Sequence, residues 1–226
     1  MLQAVIFDFD GVITDSEILH FRSFNEILAP FGAELTTHDY YKTYLGFSDV
    51  DCLNLLIRQG ILKIDPSEIP DLVAQKDAVF KRLAATEGRI FQGVRDFLEM
   101  LSQNNIPVAI CSGALLCEIE LVLEEARLRH FFKAIVSAEH VKKGKPHPEG
   151  FLLALNKLNN NRPDPIPAAR CIAIEDSRWG LEAARAASMH TIAVTNTYDA
   201  DQLTAAERIV TSLADLAIRD LHRLCS

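Results

Sequence analysis

The sequence predicts an α/β protein in which a doubly wound parallel sheet is interrupted early by an all-helical insert. Short apolar runs of the kind that form buried parallel strands occupy residues 2–9, 106–111, 134–137, 170–174 and 190–194. Segments with apolar residues at helical spacing separate the later runs, and strands that alternate with helices favour a parallel sheet. No strand-like run lies between residues 15 and 88, so this stretch is predicted to be helical throughout.

The helices of the insert carry recognisable start and stop signals. Apolar residues recur every three or four positions from Ile18 to Phe31, and Gly32 is a suitable stop. Ser48 can cap a helix that ends before Gly60. Further helices are predicted over residues 37–45, from 66 or 69 to 86, and over residues 94–104, 115–126, 148–158, 179–187 and 215–224. We therefore expect a core domain of residues 1–14 and 90–226 and a cap domain of residues 15–89.

Composition narrows the classes of partner and the cellular compartment. The chain has 226 residues, of which 49% are hydrophobic, and a formal net charge of −8. A nucleic-acid ligand requires clustered Lys and Arg, so we expect none, and no stretch is long enough to suggest a membrane span. The 5 cysteines form no Cys-x-x-Cys pair, which argues against a zinc site or a disulfide scaffold. We expect a cytoplasmic monomer.

Polar side chains that could take part in catalysis or ligand binding follow four of the predicted strands. They are, in chain order, Asp8 and Asp10, Ser112, Lys145, and Glu175 with Asp176. Ligands of open parallel sheets bind outside the carboxyl ends of the strands, so these side chains are expected to meet at one edge.

The acids at this edge predict a divalent metal site. Four carboxylates in one crevice would repel each other, and Mg²⁺ prefers carboxylate oxygens while it keeps room for water and a phosphate. Each acid alone has a simpler explanation, as a turn residue for Asp8 and Asp10 or as a helix cap for Asp176 or Ser177. The combination favours the metal.

Lys145 and Ser112 are candidates for binding an anion. The ammonium of Lys145 can neutralise both a carboxylate nucleophile and a phosphate, whereas Lys142 and Lys143 are interpreted as solvated loop residues. Ser112 lies at a strand-to-helix turn, where a hydroxyl can bind an oxyanion or cap the helix. The sequence does not decide between these two roles of Ser112.

Four segments resemble the motifs of one known family. DFDGVITDSE at residues 8–17 resembles the DxDGxxxDS/T motif of phosphatases and phosphomutases in the haloacid-dehalogenase-like (HAD) superfamily. ICSGA at residues 110–114, KGKPHPE at 143–149 and IEDSRWG at 174–180 resemble the second, third and fourth motifs, in the same order. The subgroup that contains β-phosphoglucomutase and phosphoglycolate phosphatase is the most similar. The resemblance implies a Rossmann-like core with a helical cap inserted between the first two motifs.

The resemblance also implies a role for each matching acid. Asp8 would be the nucleophile that accepts the phosphoryl group, and Asp10 the general acid and base. Asp8, the backbone carbonyl of Asp10 and Asp176 would bind Mg²⁺, with Glu175 assisting directly or through water.

The resemblance also implies which residues bind the phosphate and which reaction the protein catalyses. Ser112, Gly113 and Lys145 would bind the phosphate. The expected reaction is the hydrolysis of a small phosphorylated metabolite, such as a sugar phosphate or a phosphoglycolate-like compound, through an aspartyl-phosphate. The core grips only the phosphoryl group, so it leaves the ester unidentified.

Substrate choice is expected to lie in the cap. Residues 46–49, which include Gly46 and Ser48, resemble the substrate-specificity loop of the subgroup. His20 is a candidate to face the substrate, although a packed histidine fits equally well. Lys76 could meet a substrate anion, but the sequence alone favours an exposed helix lysine. Sugar-phosphate mutases of the subgroup have a basic residue after the loop serine, whereas this chain has Asp49, which favours hydrolysis.

Several other functions are disfavoured or remain alternatives. A cysteine phosphatase needs an arginine six positions after its cysteine, and position 117 is Cys. A dehalogenase does not use an acid or base at the position of Asp10. A phosphonate hydrolase of the superfamily has a small residue there. A phosphomutase of the β-phosphoglucomutase type and a non-catalytic module that binds a small molecule remain as alternatives.

Overall fold

The computed structural model describes residues 1–45, 47–87 and 89–226. The chain forms two compact units. The core unit comprises Met1–Asp15 and Arg89–Ser226, and the helical unit comprises Ser16–Gly88.

The core unit is built on a parallel sheet. Its strands are β1 (Ala4–Phe7), β2 (Val108–Cys111), β3 (Phe132–Val136), β4 (Cys171–Glu175), β5 (His190–Val194) and β6 (Arg208–Val210). Among the described residues the sheet has 6 strands in the order β3-β2-β1-β4-β5-β6, and every neighbouring pair is parallel. The order reverses at β1, so the first strand lies centrally between β2 and β4 and its carboxyl end opens onto the switch point.

Helices cover both faces of this sheet and make up most of the helical unit. The helices of the helical unit are α1 (Glu17–Leu28), α2 (Thr37–Asp39), α3 (Asp49–Arg58) and α4 (Ile69–Glu87). Those of the core unit are α5 (Val94–Gln103), α6 (Leu116–Glu125), α7 (Glu149–Asn159), α8 (Arg178–Ala186) and α9 (Ile218–Leu224). The α/β fold class with a Rossmann-like core is therefore confirmed.

The alternation of side chains along β1 explains how the sheet is buried on both faces. All four residues of β1 are buried. Ala4 and Ile6 join a cluster with Phe151 of α7 on one face. Phe7 points to the other face, where its ring makes edge contacts with Phe97 of α5 and Phe132 of β3 at centroid distances of 6.0 and 6.1 Å. A strand buried on both faces must be apolar throughout, which is why this run stands out in the sequence.

Several element bounds differ from the sequence prediction, among them the start of α9, which lies at Ile218 and not at residue 215. The third strand begins at Phe132, before the predicted start at residue 134, because Lys133 is exposed on a strand at the edge of the sheet and interrupts the apolar run. The edge strand β6 was not predicted, since three residues, two of them only half buried, give too weak a pattern. The helix predicted over residues 37–45 is α-helical only over Thr37–Asp39 and continues as a π-helical turn over Tyr40–Tyr44.

The helical unit has its own apolar core. Phe24 and Leu28 of α1, Leu53 and Leu56 of α3 and Leu72 of α4 are buried in one cluster. Gly32 ends the first helical segment in the left-handed conformation at φ 67°, and the Ser48 hydroxyl caps α3 by accepting from the Asp51 amide, as the sequence predicts. Among the described residues, no helix combines the length and the apolarity needed to cross a bilayer.

The first testable prediction concerns Phe7. Replacing Phe7 with Ala should lower the free energy of unfolding by about 3–5 kcal/mol, because it leaves a cavity between two elements that both touch the ring. Leu152→Ala is the matched control, since Leu152 is 46% exposed on α7. Its effect should stay within about 0.5 kcal/mol. Urea denaturation followed by circular dichroism measures both, and a loss of less than about 1 kcal/mol for Phe7→Ala would contradict the assigned packing.

Candidate active site

The candidate site lies at the carboxyl ends of the central strands of the core unit. Asp8 follows β1 directly, Ser112 follows β2, and Glu175 is the last residue of β4 with Asp176 behind it. The register of β1 with β4 pairs Phe7 with Ile174, so the residues that follow each of them emerge side by side. Three separate stretches of sequence thus converge because they end neighbouring parallel strands.

Three carboxylates form a compact buried cluster there. One oxygen of each of Asp8, Glu175 and Asp176 lies within 4.8 Å of the others. Glu175 is fully buried, and Asp8 and Asp176 are 8% and 5% exposed. Buried carboxylates this close repel one another, so the arrangement requires compensating positive charge.

Lys145 supplies part of that charge. Its Nζ lies 2.7 Å from Oδ1 of Asp8 and 2.5 Å from Oε1 of Glu175. Burial acts to lower the pKa of Lys145, but the charges of Asp8 and Glu175 outweigh it and raise that pKa well above its usual value. The charged ammonium ties the β1 acid to the β4 acid.

The carboxylates retain an excess of negative charge in spite of Lys145. Burial first, and then the charge of Asp8, raises the pKa of Glu175 to about 7, although Lys145 and the Ser177 hydroxyl act in the opposite direction. Burial and the charges of Asp8 and Glu175 likewise raise the pKa of Asp176 well above its usual value. Raised carboxyl pKa values are what uncompensated negative charge at a buried site produces, and a bound cation would relieve that charge.

The donor set fits Mg²⁺. It consists of carboxylate oxygens alone, which are the ligands that a hard cation such as Mg²⁺ takes. A soft metal would select sulfur or imidazole ligands instead. Asp8, Glu175 and Asp176 could hold the ion, while the place of the Asp10 backbone carbonyl in the ligand set stays a prediction.

Two glycines allow the acids to approach the backbone. Gly11 has φ of +74°, and a Cβ at this position would collide with Oδ2 of Asp176 and Oγ1 of Thr197. A Cβ at Gly180 would collide with the carboxylate of Glu175. Both positions therefore need glycine for space, and Gly11 needs it for its conformation as well.

Ser112 lies beside Asp10 at the end of β2. Its amide donates to Val136, and its Oγ accepts from the amide of Ala114 at 2.9 Å. The same hydroxyl lies 3.4 Å from Oδ2 of Asp10, which is a long hydrogen bond. Ser112 does not cap α6, whose N-cap is Leu115, so the predicted capping role is wrong. Its hydroxyl closes the turn before the helix and remains next to Asp10, where it could bind an oxyanion. Gly113 is exposed on the same turn.

Two supporting residues, Asn196 and Thr197, were not identified from the sequence, and a third, Ser177, was considered only as a helix cap. Asn196 donates from Nδ2 to the carbonyl of Gly11 at 2.7 Å. The Thr197 side chain hydrogen-bonds Asp176 and lowers its pKa against the stronger opposing effects. Ser177 caps α8 by accepting from the Gly180 amide, and its hydroxyl donates to Oε2 of Glu175 at 3.1 Å. Asn196 and Thr197 follow β5, so a search of every strand end would have found them.

The helical unit brings together Lys76, Asp49 and His20. Nζ of Lys76 lies 2.6 Å from Oδ1 of Asp49 and 2.8 Å from Nδ1 of His20. The interpretation of Lys76 as an exposed helix lysine is wrong, because its side chain is only 1% exposed. Ser48 caps the helix that begins at Asp49. Gly46 lies outside the described residues.

Comparison with known proteins identifies the family. The pattern of the haloacid dehalogenase-like hydrolases matches residues 5–194. A phosphorylated carbohydrates phosphatase from Thermotoga maritima is 30% identical over 192 residues, which span 84% of this chain and 84% of that protein.

Solved structures agree with this relationship. The crystal structure of CbbY from Rhodobacter sphaeroides in complex with phosphate has a TM-score of 0.86 at 26% identity and covers 98% of this chain and 100% of its own. The β-phosphoglucomutase of Clostridium difficile has a TM-score of 0.82 at 26% identity and covers 100% of this chain and 97% of its own. The family pattern covers most of this chain, and the phosphatase from Thermotoga maritima is 30% identical over 84% of it. The chain therefore belongs to the family of haloacid dehalogenase-like hydrolases and is a phosphatase of that family.

Proposed function

We propose that the chain is a Mg²⁺-dependent phosphatase that hydrolyses a small phosphorylated metabolite, of the sugar-phosphate class, through an aspartyl-phosphate on Asp8. The observation that carries this proposal is the contact of Lys145 with Asp8 inside the buried carboxylate cluster. The ammonium holds the Asp8 carboxylate in a fixed position for attack on a phosphoryl group. The same ammonium can neutralise part of the negative charge on the phosphoryl oxygens.

Asp8 and Asp10 divide the chemistry between them. An oxygen of Asp8 attacks phosphorus while the bond from phosphorus to the ester oxygen breaks, and Asp10 gives its proton to the departing alkoxide. Water then attacks the aspartyl-phosphate and passes a proton to Asp10, which releases inorganic phosphate and restores Asp8. Mg²⁺ held by Asp8, Glu175 and Asp176 would supply neutralisation of the phosphate charge.

The other site residues orient Asp8 and Asp10 and neutralise part of the negative charge around them. Lys145 fixes one oxygen of Asp8 and lowers the pKa of Glu175 against the stronger effects of burial and Asp8. Ser112 and Gly113 are proposed to bind the phosphate oxygens. Asn196 holds the Gly11 carbonyl and so fixes the loop that carries Asp10. A positioning network of this kind suits phosphoryl transfer, which depends on orientation and charge more than on covalent machinery.

The helical unit and the cellular location are also part of the proposal. We propose that residues 15–89 form a cap domain whose residues His20, Gly46, Ser48 and Lys76 select the substrate. The pairing of Lys76 with Asp49 supports hydrolysis over mutase chemistry, because it places an acid where a mutase needs a cation. We also propose a cytoplasmic monomer without nucleic-acid or membrane partners. The 5 free cysteines and the net charge of −8 support this setting.

The first test measures phosphate release from a panel of small phosphate monoesters, with Mg²⁺ and with a chelator. Release should require Mg²⁺, and Asp8→Asn should reduce it at least about 1,000-fold because the amide cannot form the intermediate. Unchanged release from Asp8→Asn would sink the proposed mechanism. Isomer formation from a sugar phosphate supplied with its bisphosphate, without net release of phosphate, would instead establish a phosphomutase.

Lys145 provides a second prediction. Lys145→Met should reduce kcat/KM about 100- to 1,000-fold, because the cation opposite the developing charge is lost and the acids repel each other more strongly. Lys143→Met is the matched control, since this lysine is exposed two positions away. Equal effects of the two substitutions would refute a specific role for Lys145. Circular dichroism spectra of both variants serve as the control for correct folding.

Thr197 provides a third prediction, which can be tested without turnover. Thr197→Val should weaken metal binding by about 10- to 100-fold, because the hydrogen bond that orients Asp176 is lost. Thr197→Ser keeps a hydroxyl and should restore most of the affinity. Titration of the folded protein with Mn²⁺, followed by electron paramagnetic resonance, measures the binding directly. Equal affinity of the Val and Ser variants would show that the hydroxyl has no such role.

A further inference from the structure

The first turn of α6 lacks a capping side chain of its own. Its N-cap residue is Leu115, which offers no side-chain acceptor to the amides that begin the helix. Oε2 of Glu118, on the same helix, accepts from the Leu115 amide at 3.1 Å. Oε2 of Glu139 accepts from the Leu116 amide at 2.8 Å, although Glu139 lies 23 residues further along the chain. The helix therefore borrows one of its caps from another segment.

Glu139 belongs to a hydrogen-bonded turn directly after β3. Ala138–His140 form a single 3₁₀ turn. Nδ1 of His140 accepts from the Ser137 amide at 3.0 Å and lies 2.8 Å from the hydroxyl of Ser137, which is fully buried. Glu139 thus reaches α6 from a segment that is itself fixed at the end of a strand.

The contact of Glu139 fixes one end of the proposed phosphate-binding turn. Residues 112–114 run from β2 into α6, so this turn has one end on a strand and the other on a helix. Sheet pairing between β2 and β3 holds the strand end. The helix end is held to the segment after β3 by the Glu139–Leu116 hydrogen bond and by the Ala138 amide, which donates to the Ala114 carbonyl at 3.0 Å.

The backbone amides of this stretch show which donor is left for a ligand. Four of them have acceptors within the protein, namely those of Ser112, Ala114, Leu115 and Leu116. In the part of the chain that the structure describes, no acceptor lies within hydrogen-bonding distance of the Gly113 amide. Because Glu139 occupies the Leu116 amide, an incoming phosphate meets the Gly113 amide as the open donor of the turn.

We propose that Glu139 is a positioning residue of the phosphatase, which holds the start of α6 and thereby sets the phosphate-binding turn of residues 112–114. This inference rests on the proposed phosphatase function and adds to it a residue outside the carboxylate cluster. The role belongs to the acceptor oxygen of Glu139 and not to its charge, since a negative charge near the turn would by itself repel a phosphate. A turn that is already fixed binds the phosphate more tightly, because less order must be created on binding.

The test compares Glu139→Ala with Glu139→Gln. Glutamine keeps an oxygen that can accept from the Leu116 amide, whereas alanine removes it. Glu139→Ala should raise KM for the best phosphate monoester and the inhibition constant of inorganic phosphate by the same factor, about 5- to 20-fold, with kcat changed less than about twofold. A loss of uniform binding has this signature, because the turn grips the phosphoryl group before and during transfer. Glu139→Gln should keep both constants within about twofold of the native values.

Asp220→Ala is the matched control. Oδ2 of Asp220 accepts from the Ala217 amide at 3.1 Å, so this carboxylate also caps the start of a helix. That helix, α9, ends at the opposite edge of the sheet from the site, since the Met1 amino group donates to the Cys225 carbonyl behind it. Asp220→Ala should lower stability in urea at least as much as Glu139→Ala, but it should leave KM and the inhibition constant unchanged.

The outcomes separate this inference from the function beneath it. Unchanged constants in Glu139→Ala, equal losses in Glu139→Gln, or an equal effect of Asp220→Ala would each overturn the role of Glu139 while the phosphatase stands. Weaker binding of Mn²⁺ by Glu139→Ala would overturn it too, because the residue would then act on the metal ligands. If Glu139→Ala does not fold, Glu139→Asp replaces it, since its carboxylate is one methylene shorter and both constants should rise in the same way. Absence of Asp8-dependent turnover in the native enzyme would instead refute the proposed function itself.

Discussion

The double ion pair of Lys145 is the interaction on which the core site depends. Two strands deliver buried acids to the same point, and one ammonium lies within 2.7 Å of both Asp8 and Glu175. Without it the acids would repel each other or take up protons, as the raised pKa values of Glu175 and Asp176 already indicate. The pair compensates only part of the negative charge, and this incomplete compensation suits the site to the cation and the phosphate of the proposed mechanism.

Close backbone packing holds the same acids in place. Gly11 and Gly180 leave the space that the carboxylates of Asp176 and Glu175 fill. Ser177 both begins α8 and donates to Glu175, so the start of a helix and the orientation of an acid share one hydroxyl. Residues of this kind are constrained by structure and function at once, and substitution at them would change both.

The helical unit uses a lysine–carboxylate pair in a different way. In the core unit one ammonium serves two carboxylates and an excess of negative charge remains. In the helical unit Lys76 and Asp49 match one to one, and the neutral His20 completes the cluster. The first arrangement leaves negative charge uncompensated, whereas in the second the two charges cancel. Both follow from the cost of burying an unpaired charge, and the ratio of acids to lysines sets the net charge of each cluster.

The sequence by itself determined the fold class, the sheet of the core and the acids and lysine at its edge. Strands such as β1, buried on both faces, must be apolar throughout, and the residues that follow them share one edge. It could not reveal the edge strand β6, whose pattern is too short, or the partners of Asn196 and Thr197, which are distant in the chain. The burial of Lys76 was also beyond it, because a lysine on a helix looks exposed until two other helices bring an acid and aromatic rings to it. Periodicity records which face of an element is buried, whereas only the tertiary structure decides which charges meet there.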